Sequence, residues 1–457
     1  MKKITFSILL LFSFVGLFAN TLENKEYWTQ LLDDKKYDVL EEKLSILQTS
    51  YERDPSKERV LLRVLSVFSN SDPLLEEKIE LWVKEKPNSI FSHLALGSYH
   101  AHLGWLSRGS RWSKDTTSQQ FAKMNGHFRK ANDELKWVVT KNPKLSVAYA
   151  GLISLAVSSN KQNKNKLFKE AISYNPLSSV IRTTYLLGLL PKWGGSFEEI
   201  ENFLLQTSTL YPQNSALKIQ EGFLEYAHGD QIFTSGEKNA YRHALNYLNK
   251  AIKKSKYKRF LTRRAVIYKY MKLYKKSIED YTEALKQHPQ DSELLEGRAK
   301  IYYKLNMYDL ALEDVNKAIL YDKMNPKALQ TRGFIYYAMK KKDQALLDLT
   351  DSLIYGYENK TTHKYIGYIQ YYTKKNYRLA AESFKLSSKF GNTDSYLWYL
   401  ITVSQWHNRD CEFVKSAFIY EKKCKINADC KKKNLDWALK SAEYAKKSTC
   451  RVPYVVD

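Results

Sequence analysis

Three consecutive stretches of this chain superpose without a gap: KRFLTRRAVIYKYMKLYKKSIEDYTEALKQHPQD from Lys258, SELLEGRAKIYYKLNMYDLALEDVNKAILYDKMN from Ser292 and PKALQTRGFIYYAMKKKDQALLDLTDSLIYGYEN from Pro326, each 34 residues long. Small residues recur at Ala265, Ala299 and Gly333, with tyrosines three places later at Tyr268, Tyr302 and Tyr336. Small residues return at Ser277, Ala311 and Ala345, and again at Ala284, Ala318 and Ser352. A unit of this length with this pattern reads as two amphipathic helices, and neither can bury its apolar stripe alone. Stacking of unit on unit must therefore supply the core. The small residues mark where two helix axes approach closely, and the tyrosines fill the wider gaps.

A fourth unit follows from Thr361 after a one-residue slip, keeping Tyr377, Ala380 and Phe384, and a last one starts at Ser395. Upstream the frame persists with insertions. Gly333 and Ala345 are 12 apart, whereas the pair read as equivalent is 22 apart at Gly222 and Ala244 and 34 apart at Gly97 and Ala131. Pro87, Pro143, Pro176 and Pro212 each close a second helix, since proline cannot continue one. The expected architecture is an all-α helical-repeat solenoid of about eleven helix pairs, with insertions at several helix–helix turns. Residues 20–257 form an irregular region, 258–394 the regular repeats, and 395–457 a terminal repeat with a stapled helical cap.

The period and its residue types resemble the tetratricopeptide repeat, most clearly over residues 258–394. The resemblance implies a binding scaffold whose groove is lined by the first helix of each unit. At the matching positions this chain carries Lys269, Tyr270, Lys300, Tyr303, Phe334, Tyr337 and Tyr372, a basic and aromatic stripe. The lysine and asparagine of the carboxylate clamp found in some members are replaced by Thr262 and Val266, so that specificity is not implied. Nearby, Lys256 to Lys276 holds nine basic residues and no acidic one.

The insertions fall where a first helix hands over to a second, so they should emerge along one edge, as loops that commonly carry binding function. The longest contains Trp105, Arg108, Arg111 and Trp112; the shortest, LLPKWGGSF, contributes Trp193. Each has a packing reading, in which the indoles plug turns and the arginines stack on them, and a binding reading, in which they form a pocket for a sugar ring or a carboxylate. The RGS-plus-tryptophan segment and the LLP-x-WGG turn resemble an uncharacterised bacterial family catalogued as a domain of unknown function, over roughly residues 90–210. That resemblance implies no reaction or partner.

MKKITFSILLLFSFVGLFA, residues 1–19, reads as a signal peptide, with an uncleaved anchor as the alternative, and points to a periplasmic or secreted protein. In an exported chain the four cysteines suggest two disulfides. CEFVKSAFIYEKK and KKKNLDWALKSAEYAKKS read as helices joined by the segment holding Cys424 and Cys430, which favours Cys411–Cys450 and Cys424–Cys430. No close CxxC pair supports a metal site, and no metal or cofactor is expected. The net charge of +24 favours anionic partners, while export disfavours nucleic acid.

No nucleophile elbow, phosphate loop or zinc-protease motif occurs, which argues against an enzyme. His93, His100, His102 and His127 cluster around the long insertion; an envelope hydrolase using His100, His102 or Asp115 is the remote alternative. The expected function is an exported scaffold that binds an acidic or extended polypeptide of the cell envelope through its groove. The alternative is a binder of anionic glycan or lipopolysaccharide through the tryptophan-bearing inserts.

Overall fold

The computed structural model describes residues 25–108, 116–158, 163–237, 239–426, 430–448 and 450. The signal segment lies outside them, as do Arg111, Trp112 and Asp115. The chain divides into two compact units, Met1–Ala328 and Leu329–Asp457. The division falls within the regular repeats.

Unit 1 comprises α1 (Lys25–Asp33), α2 (Tyr37–Arg53), α3 (Glu58–Leu65), α4 (Leu74–Glu85), α5 (Ile90–Arg108), α6 (Ser118–Lys141), α7 (Ser146–Ser158), α8 (Lys164–Tyr174), α9 (Ser179–Gly188), α10 (Phe197–Ser208), α11 (Phe223–Ser235), α12 (Ala240–Lys254), α13 (Lys258–Tyr270), α14 (Tyr274–Gln287), α15 (Ser292–Lys304) and α16 (Tyr308–Tyr321), and ends in the first turn of α17 (Pro326–Ala338). Unit 2 takes up the rest of α17, then α18 (Lys342–Ile354), α19 (Lys360–Tyr368), α20 (Tyr377–Lys389), α21 (Ser395–His407), α22 (Phe413–Ile426) and α23 (Lys432–Ser448). Taken two by two, α1 to α22 make eleven pairs, with α23 packed over the last. There is no strand among the described residues. The described residues form an all-α helical-repeat protein.

Each regular unit is built from the same parts. Asp291 and Asn325 cap α15 and α17, accepting from backbone N–H groups two and three residues on at 3.0–3.1 Å, and Asn359 does the same for α19. Lys272, Asn306 and Lys340 take a left-handed φ of 60–63° where the first helix turns into the second. Ala265, Ala299, Ala311 and Ala345 are wholly buried, and a Cβ on Gly333 would stand 2.8 Å from Leu349 Cγ. The fourth unit starts in register, with Asn359 capping α19 34 residues after Asn325, so the one-residue slip lies beyond Thr361 rather than before it, and it has a local cause. Residues Ile369–Lys374 form a π turn, which absorbs one extra residue without breaking the helix, and the left-handed position moves from Lys340 to Lys375, one residue beyond the period.

A second recurrent device had not been read from the sequence. Arg264, Arg298 and Arg332, 34 apart, each reach a carboxylate sixteen residues on. Nε and Nη2 donate to Asp280, Asp314 and Asp348 at 2.6–2.9 Å, while each guanidinium lies 5.7–5.9 Å from the ring of Tyr268, Tyr302 or Tyr336. These paired forks tie the two helices of a unit together, and the recurrent tyrosines serve as their lids.

The insertions lengthen helices more than they extend loops. In the third pair α5 has 19 residues and α6 has 24, against 13 and 13 for α17 and α18. In the sixth pair the sequence alignment was off. Gly222 caps α11 at φ 85°, and Gly229 is the glycine that faces Ala244 and Leu248, as Gly333 faces Ala345 and Leu349. The true spacing is 15 rather than 22, because the short helical turn Ser215–Gln220 precedes α11 and shifts the frame.

Candidate functional site

Within unit 1 the expected groove residues lie toward the C-terminal ends of α13 and α15. Tyr270 is 55 % exposed and packs beside Tyr241 and Phe233, at 6.0 and 5.9 Å between ring centroids. Those two aromatics extend the stripe and were missed because the sixth pair had been read seven residues out of register. Lys269 lies 4.7 Å from the Tyr270 ring, and Lys304 lies 5.7 Å from that of Tyr303. Lys300 is ion-paired with Glu296. Burial, and then the like charges of Lys300 and Lys304, hold the Lys269 ammonium below the usual lysine range, with Glu296 opposing them.

In unit 2, Phe334 and Tyr337 converge on Tyr365, at 4.9 and 4.7 Å. Lys342 Nζ sits 3.1 Å from the Tyr337 ring centroid. Tyr372 is half exposed, with its hydroxyl 3.3 Å from that of Tyr396. These residues belong to a connected patch of aromatic side chains.

Four of the nine basic residues in the stretch from Lys256 meet carboxylates from elsewhere. Lys256 meets Glu283 at 2.9 Å, Lys258 meets Asp291 at 2.7 Å, Arg263 meets Asp230 at 2.6 Å, and Arg264 holds Asp280.

LLPKWGGSF makes a tight turn after α9. Gly194 takes φ 80°, and a Cβ on Gly195 would fall 2.2 Å from the Leu189 carbonyl oxygen, so both glycines are required. Lys192 reaches buried Asp230 on α11 at 3.0 Å. Trp193 meets Trp105 edge to face at 6.2 Å, and Trp105 meets Phe128 at 5.5 Å. The first two insertions therefore adjoin, with Trp105 and Trp193 packed together, and Lys192 ties the second to the body of α11. Arg108 ends α5, half-buried.

Unit 1 also contains a contact set that no sequence pattern announced. The segment from α2 through the turn after α3 runs along the turns that join successive helix pairs. Gln48 Nε2 donates to Lys144 O at 3.1 Å, and the Tyr51 hydroxyl donates to Asn175 Oδ1 at 3.1 Å. Glu58 Oε2 accepts from Ser179 N and Val180 N at 2.6 and 2.9 Å. Arg59 lies 5.9 Å from the Tyr257 ring, and Ser71 N donates to Asp322 Oδ1 at 3.3 Å. Between this strap and the helix starts lies a cavity of about 720 Å³. Lys25, Arg59, Arg63, His102, Lys258, His288 and Lys327 contribute its basic and imidazole groups, and Asp291, Glu293 and Asp322 line it too.

The histidines are held by packing. His93 Nδ1 lies 2.5 Å from Glu134 and its ring stacks on Trp137 at 3.9 Å. His100 is buried beside Glu76 at 3.7 Å and His127 at 3.4 Å, and burial lowers its pKa to about 4. His102 Nε2 lies 3.2 Å from Ser71 Oγ at the cavity wall. Among the described residues no group of three His, Cys, Asp or Glu is placed to hold a metal ion. Cys411 is bonded to Cys450 and Cys424 to Cys430, with Cα–Cα distances of 5.5 and 5.4 Å. Among those residues no helix is long and apolar enough to cross a membrane.

Residues 26–154 match the model of a family described as Domain of unknown function (DUF4034). The match covers α1 to α6 and most of α7. It takes in the part of the second resemblance from residue 90 to 154 and extends it toward the amino terminus, while the LLPKWGG turn lies beyond it. No curated protein matches. Among solved structures, the chain is similar to Pseudomonas aeruginosa PilF, at 16 % identity over 50 % of this chain and 98 % of that one, TM-score 0.42. It is similar to PilW, described as a widely conserved type IV pilus biogenesis factor, at 19 % over 48 % and 99 %, TM-score 0.41. The Cut9–Hcn1 hetero-tetramer of the APC/C is similar at 11 % over 91 % and 89 %, TM-score 0.46. Nothing about partners follows from scores of this size.

Proposed function

We propose that this chain is an exported helical-repeat scaffold that receives an acidic, extended segment of another envelope polypeptide along the basic and aromatic face of α13 and α15. One observation carries the reading: half-buried Lys269 and Lys300 stand close to one another and to the exposed Lys304, with Glu296, the ion-pair partner of Lys300, as the opposing charge. An arriving carboxylate would relieve that repulsion, while Tyr270 and Tyr303 offer ring surface to the backbone beside it. The amino-terminal leader and the two disulfides support export. Trp105 and Trp193, engaged with one another, give no support to a sugar platform.

The test is photo-crosslinking from positions 270 and 303 in intact cells. A covalent adduct with a polypeptide, lost in Lys269→Glu, is expected. Absence of adducts at both positions, or adducts indifferent to Lys269→Glu, would overturn the reading.

A further inference from the structure

The cavity under the strap lies at the opposite end of α13 from the face just described. Lys258 and Lys269 are eleven residues apart, about 16 Å along a helix, so the two sites are separate. Its volume of about 720 Å³ falls in the range of roughly 300–1,000 Å³ that holds one small organic ligand. Leu62, Leu106, Val180 and Leu187 give it an apolar wall, and Leu62 is 38 % exposed although α3 is otherwise packed on the strap side. Lys25, Arg59 and Lys327 also line it, half-buried.

The charges there are unevenly satisfied. Asp291 is engaged by Lys258 at 2.7 Å, and Asp322 accepts from Asn325 Nδ2 at 2.6 Å and from Ser71 N. Lys25, Arg59 and Lys327 make no ion pair with any described residue. Burial lowers the pKa of both Lys25 and Arg59, the direction expected of cations that lack full compensation. Partly desolvated cations facing an apolar wall are a receptor for an anion that carries its own apolar body.

We infer that this cavity binds a small amphiphilic organic anion, a single carboxylate or phosphate head on an aliphatic chain, with the head at Arg59, Lys25 and Lys327 and the chain against Leu62, Leu106, Val180 and Leu187. The strap anchored by Glu58 and Ser71 roofs the site and favours a compact ligand over a through-running peptide.

Titration calorimetry on the purified full chain with decanoate, decyl phosphate, decanol, inorganic phosphate and an oligoglutamate peptide decides the matter. Decanoate, decyl phosphate or both should bind at least ~10-fold more tightly than decanol or phosphate. Arg59→Gln should weaken that binding ~10-fold or more, and Thr184→Trp, which fills the cavity from α9, should abolish it with the circular dichroism spectrum unchanged. Comparable affinity for decanol, or decanoate and decyl phosphate binding indifferent to both variants, overturns the inference. So does oligoglutamate binding more tightly than either amphiphile with the same loss in Arg59→Gln, which would make the cavity part of a peptide site. Failure of the crosslinking test at Tyr270 and Tyr303 leaves this result unaffected.

Discussion

Glu58 caps a helix that begins 121 residues further along the chain: its Oε2 accepts from Ser179 N at 2.6 Å and Val180 N at 2.9 Å, and its Oε1 is held by Ser178 Oγ. A buried carboxylate at a helix N-terminus satisfies N–H groups that would otherwise lack partners and meets the positive end of the helix dipole. Removing it should cost about 2–4 kcal/mol. Glu58→Ala is expected to lower the thermal midpoint and to open residues 54–72 to limited proteolysis, while Glu42→Ala, at an exposed position of α2, should do neither.

The fork between Arg298 and Asp314 should matter far more than the exposed pair Lys317–Glu313. Asp314 is 4 % exposed, so Arg298→Ala strands a buried carboxylate at a cost of about 2–4 kcal/mol, whereas Lys317→Ala should cost at most ~0.5 kcal/mol. Replacing both Arg298 and Asp314 by apolar residues of similar volume should restore much of the loss. Urea midpoints of the three variants measure this.

Trp105 and Trp193 should couple. Their edge-to-face contact predicts an interaction energy of about 0.5–1.5 kcal/mol in a double-mutant cycle of Trp105→Ala and Trp193→Ala. Additive losses would show that the two indoles act independently. Gly195→Ala, with its clash against Leu189, should destabilise on its own and by more than Gly126→Ala, which meets nothing within 4 Å.

Acid should loosen unit 1 through His100. Burial, opposed by Glu76 and assisted by Lys130 and His127, lowers its pKa to about 4 from the ordinary histidine value of 6.5. The unfolded chain therefore binds the proton first, so stability is full above pH 6.5 and declines as pH falls toward 4, by at most ~3 kcal/mol. His100→Asn should be less stable at neutral pH but lose less on going to about pH 5. Denaturant midpoints at the two pH values would show it; equal slopes in parent and variant would exclude His100 as the source.

The legibility of this chain follows the range of its contacts. Within a unit, helix meets helix at separations near 16 residues, as in Arg298–Asp314, and the same local solution recurs every 34. Periodicity therefore displayed the small residues and the tyrosine positions, and it showed that one residue had slipped, but it set the slip ahead of Thr361 instead of in the π turn. Where that frame broke, register failed: Gly222 stood in for Gly229, and Phe233 and Tyr241 went unseen beside Tyr270. The LLPKWGG turn announced its glycines but not that Lys192 would find Asp230.

By itself the sequence determined the helix pairs, because each pair's amphipathic stripes and close-approach residues are satisfied by its immediate neighbours. Only the tertiary structure decided where the first pairs go. Glu58 with Ser179 and Ser71 with Asp322 join residues 121 and 251 apart, and such contacts depend on how the small rotation between successive pairs accumulates. No repeat in the residues records that sum, so the strap, the cavity beneath it and the unpaired cations around it emerge only once the chain is folded.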